Sequence, residues 1–204
     1  MSRILLSVVS LVFLIGVFAF QFRQKVSSQS GSGRVVSNAN YMGNRPINSN
    51  VSSIKGLSNI RHVDFKNFNV GWCGGDLFLR NGHAKYGDSD YDTADLKPVK
   101  YVDFNGDGKE EAFVSVDWTT SGSSGGGMNA YVFMLQNGTP VEIWSKCNER
   151  SGFVLRGKSI FYNYPEYLGD DAHCCPTFMT TDTYTWKGSD IVRIAKKRKR
   201  STYR

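Results

Sequence analysis

Residues 103–111 read Asp-Phe-Asn-Gly-Asp-Gly-Lys-Glu-Glu and form the chain's clearest array of metal-ligating groups. Calcium is a hard cation that takes about six to eight oxygens from a loop able to curl around it. Asp103, Asn105 and Asp107 alternate, so a tight turn can aim all three side chains inward. Gly108, at the sixth position, permits the sharp bend. The carbonyl of Lys109 falls at the seventh and Glu111 at the ninth. A helix–loop–helix calcium hand needs a bidentate glutamate at the twelfth position, where this chain has Val114. The flanks VKYVDF and EAFVSV read as strands, so the expected site is a calcium-binding hairpin. The competing use of the same residues is an Asn-Gly/Asp-Gly turn with incidental acids. A second acidic run, Asp88, Asp90, Asp92 and Asp95, has Thr93 where a bend would need glycine, and reads as a solvated loop.

The 103–111 segment resembles the FG-GAP/VCBS-type calcium loop, whose pattern D-x-[DN]-x-D-G-x-x-[DE] it matches at every position. Only one copy is present, so the β-propeller built by arrays of such loops is not implied.

Cys73, Cys147, Cys174 and Cys175 form an even set, which points to disulfides in an exported chain. Pairing Cys174 with Cys175 would close a tight ring across one peptide bond and is set aside. The two remaining connectivities staple Cys73 and Cys147 each to one member of the pair, and the spacing leaves both open. Zinc is the competing use, with His173 and His83 to hand, but no two cysteines show the separation of a zinc knuckle. The Gly/Ser run 121–127 lacks the Gly-Lys-[Ser/Thr] of a phosphate cradle. His62, His83 and His173 are scattered, and no Gly-x-Ser-x-Gly elbow accompanies them.

The elements that must hold these residues are strands. Period-two segments recur at 60–65, 76–80, 99–104, 111–118, 130–136, 141–145, 153–164, 178–186 and 190–195. They are rich in Val, Ile, Phe, Tyr, Trp and Thr, and Asn137-Gly138 marks a hairpin. No window of a dozen residues shows a helical stripe. The expected fold is all-β, an antiparallel sandwich, partly open barrel or twisted meander of about nine short strands over residues 60–195.

The ends differ in kind. Ile4–Phe22 carries no charge over 19 residues. With Val17-Phe18-Ala19 near its end, residues 1–25 read as a signal peptide or an N-terminal membrane anchor. Residues 26–59, rich in Ser, Asn and Gly, read as a flexible linker. Residues 196–204 read as a basic tail. The net charge of +7 is thus a property of the ends, since residues 61–190 hold 12 basic and 18 acidic side chains. A nucleic-acid binder would carry its basic footprint on the folded body, so nucleic acid is not the expected partner.

One further set of residues carries a resemblance. GWCGG, DFNGDGKEEAFV, a Gly/Ser loop and DAHCCPTFMTTDTYTWKG follow one another in the order seen in LppP/LprE-type bacterial envelope lipoproteins and their relatives. Their Cys-Cys-Pro, Tyr-x-Trp, Gly pattern is matched here by Cys174-Cys175-Pro176, Tyr184-x-Trp186 and Gly188. The resemblance covers roughly residues 60–195 and implies an exported protein, periplasmic or extracellular, without an established activity. The lipid-bearing cysteine is absent, so lipid anchoring is not implied. The combined expectation is a cell-envelope binding or structural module of unknown partner. It touches the membrane through its N-terminal segment if that is uncleaved. An envelope hydrolase using loop carboxylates, or a polyanion binder acting through the tail, are the rivals.

Overall fold

Two antiparallel sheets account for ten strands in the computed structural model, which describes residues 56–71, 76–121 and 125–202. The first sheet holds β1 (His83–Lys85), β2 (Thr93–Leu96), β3 (Lys100–Val102), β4 (Glu111–Thr119), β5 (Gly127–Gln136) and β6 (Thr139–Glu149). Its order is β1-β2-β4-β5-β6, with β3 pairing the other end of the β4 edge that β2 uses. The second sheet holds β7 (Gly152–Arg156), β8 (Ser159–Glu166), β9 (Phe178–Lys187) and β10 (Asp190–Arg200), in the order β10-β9-β8-β7. Among the described residues there is no α-helix and no closed barrel.

The central strands explain the architecture. β4 is buried along almost its whole length, which fits a strand covered on both faces. Ala112, Val114, Val116 and Trp118 point to one side, joined by Tyr131 and Phe133 of β5. They pack on Ile60, Val63, Phe65, Phe68, Val70 and Leu79 of the preceding segment. Phe113, Ala130, Val132 and Trp144 point to the other side and meet Ile160, Tyr162, Tyr184 and Ile191 of the second sheet. The six-stranded sheet is therefore a middle layer with two separate cores.

Three strand expectations change. Residues 60–65 do not form a strand. They lie in two 3-10 turns, Ile60–His62 and Phe65–Asn67, because Asn59 and Asp64 each accept a backbone N–H two residues ahead through their side chains. Residues 76–80 make only isolated bridges, Asn69 to Phe78 and Arg80 to His83. Residues 153–164 are a hairpin rather than one strand, turned at Gly157 with φ +56°. The tail is also revised. β10 continues to Arg200, paired with Phe178, so five of the expected tail cations belong to a strand. The N-terminal segment 1–25 and the linker up to residue 55 lie outside the described residues.

Candidate metal centre

The 103–111 loop joins β3 to β4, as the hairpin reading expects. Gly106 and Gly108 adopt φ of +81° and +84°, conformations that side chains resist, and so turn the chain back on itself. The Asp103 carboxylate is drawn into the curl by Gly106 N at 2.6 Å and Gly108 N at 3.2 Å. Asn105 and Asp107 each accept the backbone N–H two residues on, at 2.8 Å. Glu111 Oε2 accepts from Phe104 N at 2.8 Å, and Asn105 Nδ2 reaches Oε1 at 3.3 Å. The structure thus links Asp103, Asn105 and Glu111 to one turn, while the Asp107 carboxylate caps Lys109 N instead.

Glu111 is the unusual group. It is 1% exposed, and no Lys, Arg or His pairs with it among the described residues. Burial pushes its carboxyl above the ordinary value, opposed by the Phe104 N–H and reinforced by the negative charges of Asp107 and Asp103. Strand alternation sends it toward the core between the sheets, beside Phe104. From the second sheet, Lys158 brings its Nζ to 3.9 Å from Asp103 Oδ2. Glu110, one residue earlier, faces away and binds Arg61, whose guanidinium lies 4.4 Å over the Tyr101 ring. No three His, Cys, Asp or Glu side chains are gathered closely enough to hold an ion among the described residues. A cation here would rely on Asp103 and Glu111 with the Asn105 amide, and would have to draw Asp107 away from its own turn.

The cysteines depart from the expected connectivity. Cys174 and Cys175 are bonded to each other, the pairing that the sequence reading set aside. The residues on either side of the pair are hydrogen-bonded into a closed loop. Asp171 accepts from Leu168 N, Thr177 N and the Thr177 hydroxyl, while the His173 carbonyl accepts from Tyr167 and Arg150. Cys147 pairs across strands with Asn129 and so points to the face covered by the segment preceding β1. Cys73 lies outside the described residues.

The hydrolase alternative draws its acids from the loops at 88–95 and 170–171, and two of them are tied into their own turns. Asp92 is held below the ordinary carboxylate range by the N–H groups of Ser121 and Ser89, and Asp171 by the Thr177 hydroxyl and Leu168 N–H. A feature missed in the sequence is a groove of about 700 Å³ beside β1 and β2, where His83 Nδ1 stands 2.8 Å from Asp95 Oδ1. The signal was cross-strand register, His83 opposite Asp95, which needs the pairing of β1 with β2 to be known. Both side chains are more than half exposed, so the pair orients an imidazole without desolvating it.

No family model, curated protein or solved structure matches this chain.

Proposed function

We propose that the protein is an exported β-domain of the bacterial cell envelope, a binding or structural module with a calcium-braced hairpin and structural disulfides. The charge-free N-terminal segment and the motif order shared with the LppP/LprE-type proteins support the compartment. The observation that carries the calcium reading is Glu111, a buried carboxylate that no cation among the described residues meets, at the mouth of a loop matching a calcium pattern. Calcium would be held by Asp103, Asn105, Asp107, the Lys109 carbonyl and Glu111, and would neutralise three carboxylates crowded into nine residues. The bound ion would supply charge neutralisation and rigidity where the two sheets meet, with no chemical step. The envelope partner is a component reached by the folded domain.

Melting of the full-length protein in calcium and in chelator tests the metal. Binding to the folded form alone stabilises by about 2.7 kcal/mol when calcium is a hundredfold above its dissociation constant. We expect a calcium-dependent rise in Tm that magnesium reproduces poorly and that Asp107→Ala removes. Identical melting in calcium and chelator would reduce the loop to a turn. For the cysteines, Cys174–Cys175 leaves Cys73 to bond Cys147, and Gly71, two residues before Cys73, already accepts from Tyr131 on the Cys147 face. Intact mass should rise by about four hydrogens on reduction, and non-reducing peptide mapping should join the Cys73 and Cys147 peptides. Four alkylatable thiols in the unreduced exported protein would overturn the disulfides.

A further inference from the structure

The cations of β10 divide into two sets by strand alternation. Arg193, Lys196 and Arg198 lie on the inner face, opposite Tyr184, Asp182 and Thr180. Their charges are met there: Arg193 pairs with Asp182, and Lys196 and Arg198 pair with Glu166. Lys197 and Lys199 lie on the outer face, opposite Thr181 and Met179, exposed and without an acidic partner among the described residues. Arg200 ends the strand in the same unpaired condition. β10 is an edge strand, so the flank of this row is open as well. Alongside it, the outer face of β9 presents Thr181, Thr183 and Thr185. Among the described residues the one acid on that face, Asp190, sits at the opposite end and is bonded by Ser189.

Charge over the whole unit is biased the same way. Residues 56–149 hold eight basic and thirteen acidic side chains, whereas residues 150–202 hold ten basic and five acidic. A long anionic chain would be steered to the second sheet and repelled by the first.

We propose that the outer side of β10, with the threonine row of β9, is a binding track for a linear polyol-phosphate polymer. Its phosphates would sit on Lys197 and Lys199. In an extended strand, residues two apart repeat at about 7 Å, so these ammonium groups present charge as a line. That matches an extended chain of phosphodiesters better than a plane of lipid headgroups. Lysine is suited to phosphate as a compact point charge, and the threonine oxygens can accept from polyol hydroxyls, Thr181 and Thr185 having given their own hydrogens to Asn163 Oδ1 and the Lys158 carbonyl. Single-stranded nucleic acid would need open aromatic rings on which bases stack. Among the described residues the one aromatic on this face, Phe161, is covered by the Arg156 guanidinium at 5.5 Å. The proposal shares no residue with the calcium loop and stands whether or not that loop binds metal.

Titration of the full-length protein with poly(glycerol phosphate) tests the track, using Lys197→Gln/Lys199→Gln against Lys66→Gln, a lysine packed near β1 in the acidic half. The double variant should bind at least about tenfold more weakly with unchanged Tm, and its log–log salt slope should fall by about one to two. Lys66→Gln should bind as the wild type does. Should the double variant melt lower, Lys199→Gln alone, near the strand end, should still weaken binding about threefold. Equal losses in the double variant and Lys66→Gln would reduce the effect to net charge and overturn the proposal. No binding by the wild type would overturn it too. So would tighter binding to oligothymidylate or to phosphatidylglycerol vesicles than to the polymer.

Discussion

Glu111 and Glu166 are both largely withdrawn from water, yet the two halves of the molecule treat them oppositely. Among the described residues, Glu111 in the acidic half meets Phe104 N, the Asn105 amide and the charges of two more carboxylates, and burial pushes its carboxyl up. Glu166, in the basic half, is also desolvated. There the hydrogen bonds from Thr180, Arg198 and Lys196 outweigh burial and hold its carboxyl down. A buried carboxylate is costly unless paired; among the described residues no cation meets the first, while Lys196 and Arg198 of the chain meet the second. The comparison separates a buried carboxylate with no counter-charge among the described residues from a set of ion pairs that fastens a strand.

The largest expected effect that would sharpen this contrast comes from removing Glu166. Glu166→Ala leaves Lys196 and Arg198 without an acid and Thr180 Oγ1 without its acceptor. Both cations are partly exposed and can turn to solvent, which limits the loss to about 1–2 kcal/mol. Hydrogen exchange should rise over Lys196–Arg200 and stay unchanged in β4 and β5. Uniform acceleration across both sheets would break the idea of a local fastening.

A smaller effect of opposite sign is expected at the first site. In chelator, Glu111→Gln removes a buried charge while keeping an acceptor for Phe104 N, so stability should rise by on the order of 1 kcal/mol. In calcium the same variant should lose the metal-dependent increment. Destabilisation in chelator would mean that a cation within the chain already serves Glu111.

The pH response follows from the same two groups. The folded form holds the Glu111 proton more tightly than the unfolded chain does. In chelator, stability should therefore rise as pH falls from neutral through its raised pKa, the gain being complete near 4.5. Glu166 acts in reverse: its contribution is present above about 4.5 and lost as pH falls through its lowered pKa. Urea midpoints from pH 7 to 3 should therefore pass through a maximum, which Glu111→Gln flattens on the neutral side and Glu166→Ala flattens on the acid side. A wild-type profile that falls monotonically from pH 7 would remove Glu111 from the account.

Much of the β-character was readable because alternation and turn residues are local. The hairpin at Asn137-Gly138 and the strands around 111–118 and 130–136 stand close to where the residues place them. Residues 60–65 read as a strand because Ile60, Val63 and Phe65 are strand formers whose burial suits a sheet as well as a turn. The decisive groups, Asn59 and Asp64, act through side-chain bonds to the backbone. Gly126 shows a complementary case. A Cβ there would collide with the Trp118 carbonyl across the β4–β5 connection, so a glycine in a run without a sequence motif meets a packing demand.

By itself, the sequence determined the all-β class, the oxygen-rich loop between two strands and the segregation of basic residues to the ends, since each depends on neighbours in the chain. The tertiary structure decided which charges are partnered. Glu166 and Asp182 reach Arg193, Lys196 and Arg198 only through the registers of β8 with β9 and of β9 with β10. Register also divides the basic run: alternate side chains of one strand face opposite sides, leaving Lys197 and Lys199 exposed while their neighbours close ion pairs.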